Sequence, residues 1–321
     1  MSHRPLDAGD ARLATGISRW IQARPLTTFR SGRNSQDMPN STGVDSTRAA
    51  PGTEAGASLA MEVSELGKIY QTRNGAVEAV RRATFTVNRG EFVSLVGPSG
   101  CGKSTILHIL AGLLDFDGGD VTVAGTPAKA GRRDVGIMLQ RPVLFPWRTV
   151  MQNVLLPTQV FKIARRGAQR DAVRERAAEL LKLVGLEGFE EKYPWELSGG
   201  MQQRASLARL LVFEPEILLM DEPFAALDEF TRERLNSELA RLHETLGRTV
   251  LYVTHNIQEA VFLSDRVVVM KPRPGEVLEI VDITLERPRR IEMIAEAETA
   301  ALVARIRKRL GFEEEETHGD G

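Results

Sequence analysis

From about residue 61 the chain alternates between two rhythms of apolar and polar positions. "MEVSELGKIY" and "RRATFTVNRG" carry the pattern of short strands, and "EFVSLVG" follows as an unbroken apolar run. "STILHILAGLL" has helical spacing, "GGDVTVAGTPA" reads as a hairpin and "DVGIMLQ" as a buried strand. Between about 148 and 196 the period is helical, and in "RDAVRERAAELLKLVGL" it puts Val173, Ala177, Leu180, Leu181 and Val184 on one face. Three more apolar runs, "ILLMD", "TVLYVT" and "RVVVMK", are separated by helical stretches. Strands alternating with helices predict an α/β fold with a mostly parallel sheet. The opening strands and the hairpin predict an antiparallel β subdomain beside it, with 148–196 as an α-helical subdomain.

The two ends follow neither rhythm throughout. Residues 1–58 are rich in Ser, Thr, Gly, Pro and Arg, contain no Lys, and are expected to form a disordered N-terminal extension. Within it "RLATGISRWIQ" is patterned for a short amphipathic helix, while Asp7 and Asp10 argue against a transit peptide. From 291 an apolar stripe (Ile294, Leu302, Ile306, Leu310) predicts a C-terminal helix that runs into the acidic tail "EEEETHGDG". Residues 59–290 are then the main domain and 291–321 a helix with a solvated tail.

Composition narrows the field only a little. With 42% hydrophobic and 26% charged residues and a net charge of −1, nothing suggests broad attraction to nucleic acid or anionic lipid. Cys101 is the sole cysteine, so no intrachain disulfide forms. No apolar run approaches the roughly 18 residues that span a bilayer, so at a membrane other chains must supply the spanning part.

The chemistry is concentrated at the ends of the apolar runs. "GPSGCGKST" (Gly97, Pro98, Ser99, Gly100, Cys101, Gly102, Lys103, Ser104, Thr105) fits G-x-x-x-x-G-K-[ST] between a strand and a helix. Its glycines allow backbone to wrap phosphate oxygens, and Lys103 adds a point charge to the β- and γ-phosphates. Ser104 can offer its hydroxyl to Mg²⁺, and Thr105 serves the α-phosphate. In "ILLMDEP", Asp221 ends a buried strand, where a carboxylate needs a partner such as Mg²⁺. Glu222, one step further out, can accept a hydrogen bond from an attacking water. Gln140 and His255 also end apolar strands. Gln140 carries a neutral oxygen able to reach Mg²⁺ and the water. In open α/β sheets that edge binds ligands, so Lys103, Gln140, Asp221 and His255 are expected to converge. A second anion-binding turn, "LSGGMQQR", places Ser198, Gly199 and Gly200 at the start of another helix.

In this order the motifs resemble the nucleotide-binding subunit of ABC transporters over about residues 61–285: Tyr70, Walker A at 97–105, Gln140, the "LSGG" signature, "ILLMDE", a D-loop ending at Asp228, and His255. The resemblance implies a P-loop NTPase (ABC ATPase) core. In it Tyr70 stacks on adenine, Glu222 polarises the attacking water, His255 contacts the γ-phosphate and Asp228 signals to a partner subunit. From the sequence alone Tyr70 is a strand residue packed in the core. The implied cofactors are ATP and Mg²⁺. Ser198, Gly199 and Gly200 would close on ATP held by a second subunit, in a head-to-tail dimer. Ala225, where Ser or Gly is common in the D-loop, is a mild departure.

"LFPWRTVMQNV" and "DRVVVMKPRPGEV" further resemble bacterial importers of nitrate, sulfonates or taurine. That implies an integral membrane permease, a solute-binding protein acting through it, and a peripheral position on the cytoplasmic face of the inner (cell) membrane. Phe145 to Trp147 would meet the permease, the competing reading of Trp147 being core packing. An exporter or lipid-transport ATPase would share all the ATP chemistry. A nucleic-acid-associated relative is disfavoured, because no sustained heptads separate Lys103 from Ser198. A nucleoside kinase would explain "GPSGCGKST" but not "LSGG".

Overall fold

The computed structural model describes residues 58–73, 75–163 and 167–311; the N-terminal segment and the acidic tail discussed above lie outside the described residues. Two sheets form the frame. The smaller is antiparallel, in the order β2 (Gly75–Asn88), β1 (Leu59–Thr72), β4 (Gly118–Val123), β5 (Thr126–Pro127). The larger runs β10 (Glu276–Asp282), β9 (Arg266–Lys271), β3 (Phe92–Val96), β8 (Thr249–Thr254), β7 (Ile217–Asp221), β6 (Val135–Met138). Its strands from β9 to β6 pair in parallel, and only the edge strand β10 is antiparallel.

The unbroken apolar runs have a direct cause. On β7, Ile217 and Leu219 face one core while Leu218 and Met220 face another, and on β8 Leu251 and Val253 alternate likewise with Val250 and Tyr252. Both faces are covered, so neither needs polar residues. One cover is the antiparallel sheet with α1 (Lys103–Leu110). The other is helical: α2 (Val150–Val154), α4 (Ala168–Leu183), α5 (Gly199–Leu211) and α6 (Glu229–Leu246). A short α3 (Leu156–Val160) follows α2, and α7 (Ile257–Leu263) packs behind β3 and β8. The expected face of α4 is present, with Val173, Ala177 and Leu181 buried and Leu180 at its margin. Arg176 sits within the same stripe, paired to Glu214 at 2.9 Å.

Two elements differ from expectation. α1 stops at Leu110 instead of reaching Leu114. Gly112 takes φ +67° there, and a Cβ on it would stand 2.3 Å from the Ala130 nitrogen, so the chain must turn. The C-terminal stripe divides in two. Ile291–Ala295 is a 3₁₀ turn, and α8 (Ala297–Arg309) buries Thr299, Val303 and Ile306, with Leu302 and Leu310 only partly covered. Ile294 packs against the helical core instead. Val303 and Ile306 share a core with Val96, Ala260 and Val281, so α8 continues the packing of the main domain. No helix among the described residues is long and apolar enough to cross a membrane.

Candidate active site

β3, β7 and β8 run in parallel, so their C-terminal ends open on one edge of the sheet. The loop from Gly97 to Gly102 leaves β3 there and feeds α1. Two of its glycines are required by their surroundings. A Cβ on Gly97 would stand 2.5 Å from the Met270 carbonyl oxygen, and one on Gly102, at φ +88°, 2.8 Å from that of Ala79. Lys103, the first residue of α1, is almost fully buried, and its ammonium donates to the carbonyls of Gly97 (2.7 Å) and Pro98 (3.1 Å). The cation is thereby held inside the curve of the loop. Ser99 and Gly100 lie exposed on the rim. Cys101 is buried, its Sγ 3.6 Å from the Lys103 ammonium, and burial pushes its thiol up, which keeps it protonated and inert.

Ser104 donates its hydroxyl to Asp221 Oδ1 at 2.9 Å. Asp221 is buried at the end of β7, and burial raises its pKa above the usual carboxylate range, against the hydrogen bond from Ser104. A buried carboxylate beside a hydroxyl is a donor set that a hard divalent cation satisfies, and bound cation would relieve the cost of burial. Among the described residues no group of three or more His, Cys, Asp or Glu side chains could hold a metal alone. Ser104 and Asp221 would therefore hold Mg²⁺ together with ligands from outside the chain, as Mg²⁺ commonly takes one or two protein oxygens.

Glu222, the next residue, has φ +44°, the left-handed region that a side chain seldom enters. Its N–H bonds the Val253 carbonyl of β8 at 2.9 Å, and its own carbonyl accepts from Ala225 at 3.3 Å. The strained turn swings the Glu222 carboxylate away from Asp221 and towards two other strand ends. Gln140 Nε2 donates to one oxygen at 3.0 Å, and His255 Nδ1 stands 3.2 Å from the other. Gln140 is thus brought to Glu222, not to the Ser104–Asp221 pair. His255 is well exposed, so its ring is free to approach a ligand.

Tyr70 lies partly exposed on β1, not in the core, with its hydroxyl 3.3 Å from Thr105 Oγ1. Among the described residues it is the aromatic side chain whose hydroxyl meets the phosphate-loop motif. The second anion-binding turn lies apart from this cluster in its contacts. Ser198 caps α5, its Oγ accepting from the Met201 N–H at 3.3 Å. A Cβ on Gly200 would stand 2.9 Å from Leu227 Cδ2, whereas one on Gly199 would meet nothing within 4 Å. Gly199 therefore leaves the helix start open to an incoming group, and none of these contacts reaches the phosphate loop. Asp228 caps α6, accepting from the Thr231 N–H at 2.9 Å, a bond that lowers its pKa.

One residue that sequence reasoning passed over connects the two regions. Gln203 of α5 is buried and donates to the carbonyls of Gln140 (3.3 Å) and Leu139 (3.5 Å). The helix that begins at Ser198 is thus bound to the loop that carries Gln140. Its position one turn inside "LSGGMQQR" was visible, but nothing in the sequence said which strand end it would meet.

A lysine-bearing glycine loop, a serine beside a buried aspartate, and a glutamate braced by Gln140 and His255 define a P-loop nucleotide-binding and hydrolysing protein. A family model described as ABC transporter matches residues 80–225. An uncharacterized ABC transporter ATP-binding protein of Methanocaldococcus jannaschii is 47% identical over 229 residues, covering 71% of this chain and 84% of that protein. The taurine import ATP-binding protein of Rhizobium johnstonii is 41% identical, covering 71% and 85%. The aliphatic sulfonates import ATP-binding protein of Bacillus anthracis is 38% identical, covering 72% and 89%. Among solved structures, a bacterial ABC transporter cassette in dimeric form matches with TM-score 0.64 at 34% identity, covering 70% of this chain and all of that one. A dimeric cassette in a post-hydrolysis state bound to ADP and Pi also scores 0.64, at 33% identity. The chain belongs to the ABC transporter family, as an ATP-binding and hydrolysing protein.

Proposed function

We propose that this protein energises a bacterial importer of a small anion, of the nitrate, sulfonate or taurine class, by hydrolysing ATP at two sites shared between two copies. The observation that carries the hydrolytic part is the bracing of Glu222 by Gln140 and His255 at the sheet edge from which the phosphate loop also leaves. Lys103 and the amides of the phosphate loop hold the β- and γ-phosphates, and Tyr70 takes the adenine. Ser104 and Asp221 hold Mg²⁺, which when bound neutralises phosphate charge. Glu222 orients water for attack on the γ-phosphorus and receives its proton, while His255 steadies charge on the γ-phosphate. Ser198 and Gly199 of the second copy close over the same phosphate, and Asp228 reports that closure between subunits.

The transport part has its own support in an apolar groove of about 330 Å³, lined by Leu113, Leu139, Leu156, Val160, Phe161 and Arg209. Leu113 and Val160 are more than half exposed, and Trp147, at 69% exposure, is no core residue. An apolar hollow of this kind, close to the loop of Gln140, suits an amphipathic helix of a permease. Movement there reaches Gln140 through the chain itself. The import names of the taurine and sulfonate relatives favour uptake over export. The decisive experiment is uptake by vesicles that contain this protein with its permease and solute receptor. ATP-dependent accumulation of labelled taurine, alkanesulfonate or nitrate supports the reading. Extrusion of a substrate, or ATP hydrolysis that no permease stimulates, would remove the importer assignment.

A further inference from the structure

β8 ends at Thr254 and α7 begins at Ile257, so His255 occupies a two-residue bend between two rigid elements. A buried carboxylate that the hydrolytic cluster does not use lies underneath. Glu259, on the first turn of α7, is 7% exposed, and among the described residues no ion pair engages it. Its oxygens are satisfied by hydrogen bonds instead. Oε2 accepts from the Thr254 hydroxyl at 2.6 Å and Oε1 from the Asn236 amide at 3.1 Å. The Thr254 hydroxyl in turn accepts from the Asn256 N–H at 3.0 Å. Asn256 also caps α7 by accepting from the Glu259 N–H at 3.2 Å. Both backbone neighbours of His255 are therefore tied, directly or through one hydroxyl, to the same carboxylate.

We infer that Glu259 is the positioning residue of His255, fixing the bend that aims the imidazole at Glu222 and the γ-phosphate. The inference rests on the reading of His255 given above. Burying an unpaired carboxylate is costly, and an apolar residue would fill this place more cheaply if packing were its only task. What the carboxylate adds is two strong acceptors at fixed points, one for Thr254 at the end of β8 and one for Asn236 of α6. The Asn236 bond matters for the same reason. Asn236 lies two turns into α6, the helix that Asp228 caps, so the carboxylate binds the switch bend to the element that starts at the D-loop. A reacting group displaced by about 1 Å loses on the order of 100-fold in rate, so a brace of this kind acts on turnover more than on affinity.

Purified variants assayed for ATP hydrolysis test this, with thermal melting as the control for folding. Glu259→Gln replaces one acceptor by a donor. It should lower kcat by roughly 10- to 100-fold while KM for ATP stays within about twofold. Thr254→Val, which removes only the hydroxyl, should reproduce that loss, and Thr254→Ser should restore turnover. In a His255→Ala background, Glu259→Gln should have no further effect on residual turnover. Full activity of both Glu259→Gln and Thr254→Val, or an undiminished effect of Glu259→Gln on top of His255→Ala, would overturn the inference alone. Normal turnover of His255→Ala would overturn the reading of His255 and this inference with it.

Discussion

The Glu222 carboxylate stands between Gln140 and His255, with Gln140 Nε2 at 3.0 Å from one oxygen and His255 Nδ1 at 3.2 Å from the other. Its own backbone is held at φ +44°, a conformation kept because β8 anchors its N–H. A carboxylate positioned this closely is suited to take a proton from water. Glu222→Gln preserves size and can still face Gln140 and His255, but it cannot accept that proton. Turnover should fall by roughly 100-fold or more while ATP still binds. Size-exclusion chromatography with light scattering should then show an ATP-dependent dimer. Turnover near that of the unmodified protein would mean that another group is the base.

Lys103 makes a different prediction, because it is buried with its ammonium held against the carbonyls of its own loop. Lys103→Ala removes the cation held inside the curve of Gly97 to Gly102. ATP affinity should drop by about 10- to 100-fold, the range for losing a charge-assisted hydrogen bond. Titration with a fluorescent ATP analogue measures this directly. Unchanged affinity would remove the phosphate-loop assignment.

The strands and the polar residues at their ends were legible because both cores cover the large sheet, and a strand buried on both faces shows as an unbroken apolar run. Lys103, Gln140, Asp221 and His255 could be placed for the same reason. Their partners could not be read. The sequence pattern sets Gln140 at a strand end, but the left-handed turn at Glu222 decides that Gln140 meets Glu222 and not Ser104. β10 escaped notice because its edge position leaves most of its residues half-exposed, without a continuous apolar run. Gln203 and Glu259 look like ordinary helix surface residues in sequence, since helical period says which residues share a face and not which polar group waits opposite. The split of the C-terminal stripe had a similar cause, as Ile294 packs on the helical core and Ile306 on α7 and β10.

Ser198 caps α5 and Gly199 leaves its N-terminus open, yet neither touches the phosphate loop of its own chain. If that helix start serves a nucleotide on a second copy, a bulky cation there should block closure without disturbing the first site. Ser198→Arg should keep monomeric ATP affinity within about twofold and reduce hydrolysis by at least the 100-fold or so that loss of a transition-state donor set costs. The dimer expected of Glu222→Gln should be absent from the double variant. Weaker binding by the monomer would instead mean that both turns serve one nucleotide in the same chain.

Asp221 carries a pH dependence with a definite sign. Burial raises its folded-state pKa above the unfolded value of about 3.9, so the native state holds the proton more tightly. Stability without metal therefore falls as pH rises from the unfolded value through the raised one. On the proposal that Asp221 holds Mg²⁺, the ion would compete with that proton, so the increase in melting temperature caused by Mg²⁺ with a non-hydrolysable ATP analogue should grow with pH over the same window. Asp221→Asn should lose that part of the pH dependence, whereas titration of the nucleotide itself would remain. An increase that is identical in both proteins would separate Asp221 from the metal.

Tyr70 is held at its place by groups outside the sequence motifs. Asp117 Oδ2 accepts from the Ile69 N–H at 2.7 Å and pairs with the Lys68 ammonium at 3.2 Å. That ammonium lies 5.8 Å from the centre of the Tyr70 ring, and the Tyr70 hydroxyl meets Thr105 Oγ1. One face of the ring thus carries a cation fixed by Asp117, and the strand just before the ring is pinned to the residue that precedes β4. Asp117→Ala releases the Ile69 N–H and the Lys68 ammonium together and leaves the phosphate loop intact. ATP affinity should fall by roughly 3- to 10-fold, the worth of one or two such hydrogen bonds. Inorganic triphosphate, which has no base to stack, should bind as it does to the unmodified protein. Competition of each against a fluorescent nucleotide separates the two effects. Equal weakening of both would place the damage in the phosphate loop, and no weakening of either would show that Tyr70 holds its position without Asp117.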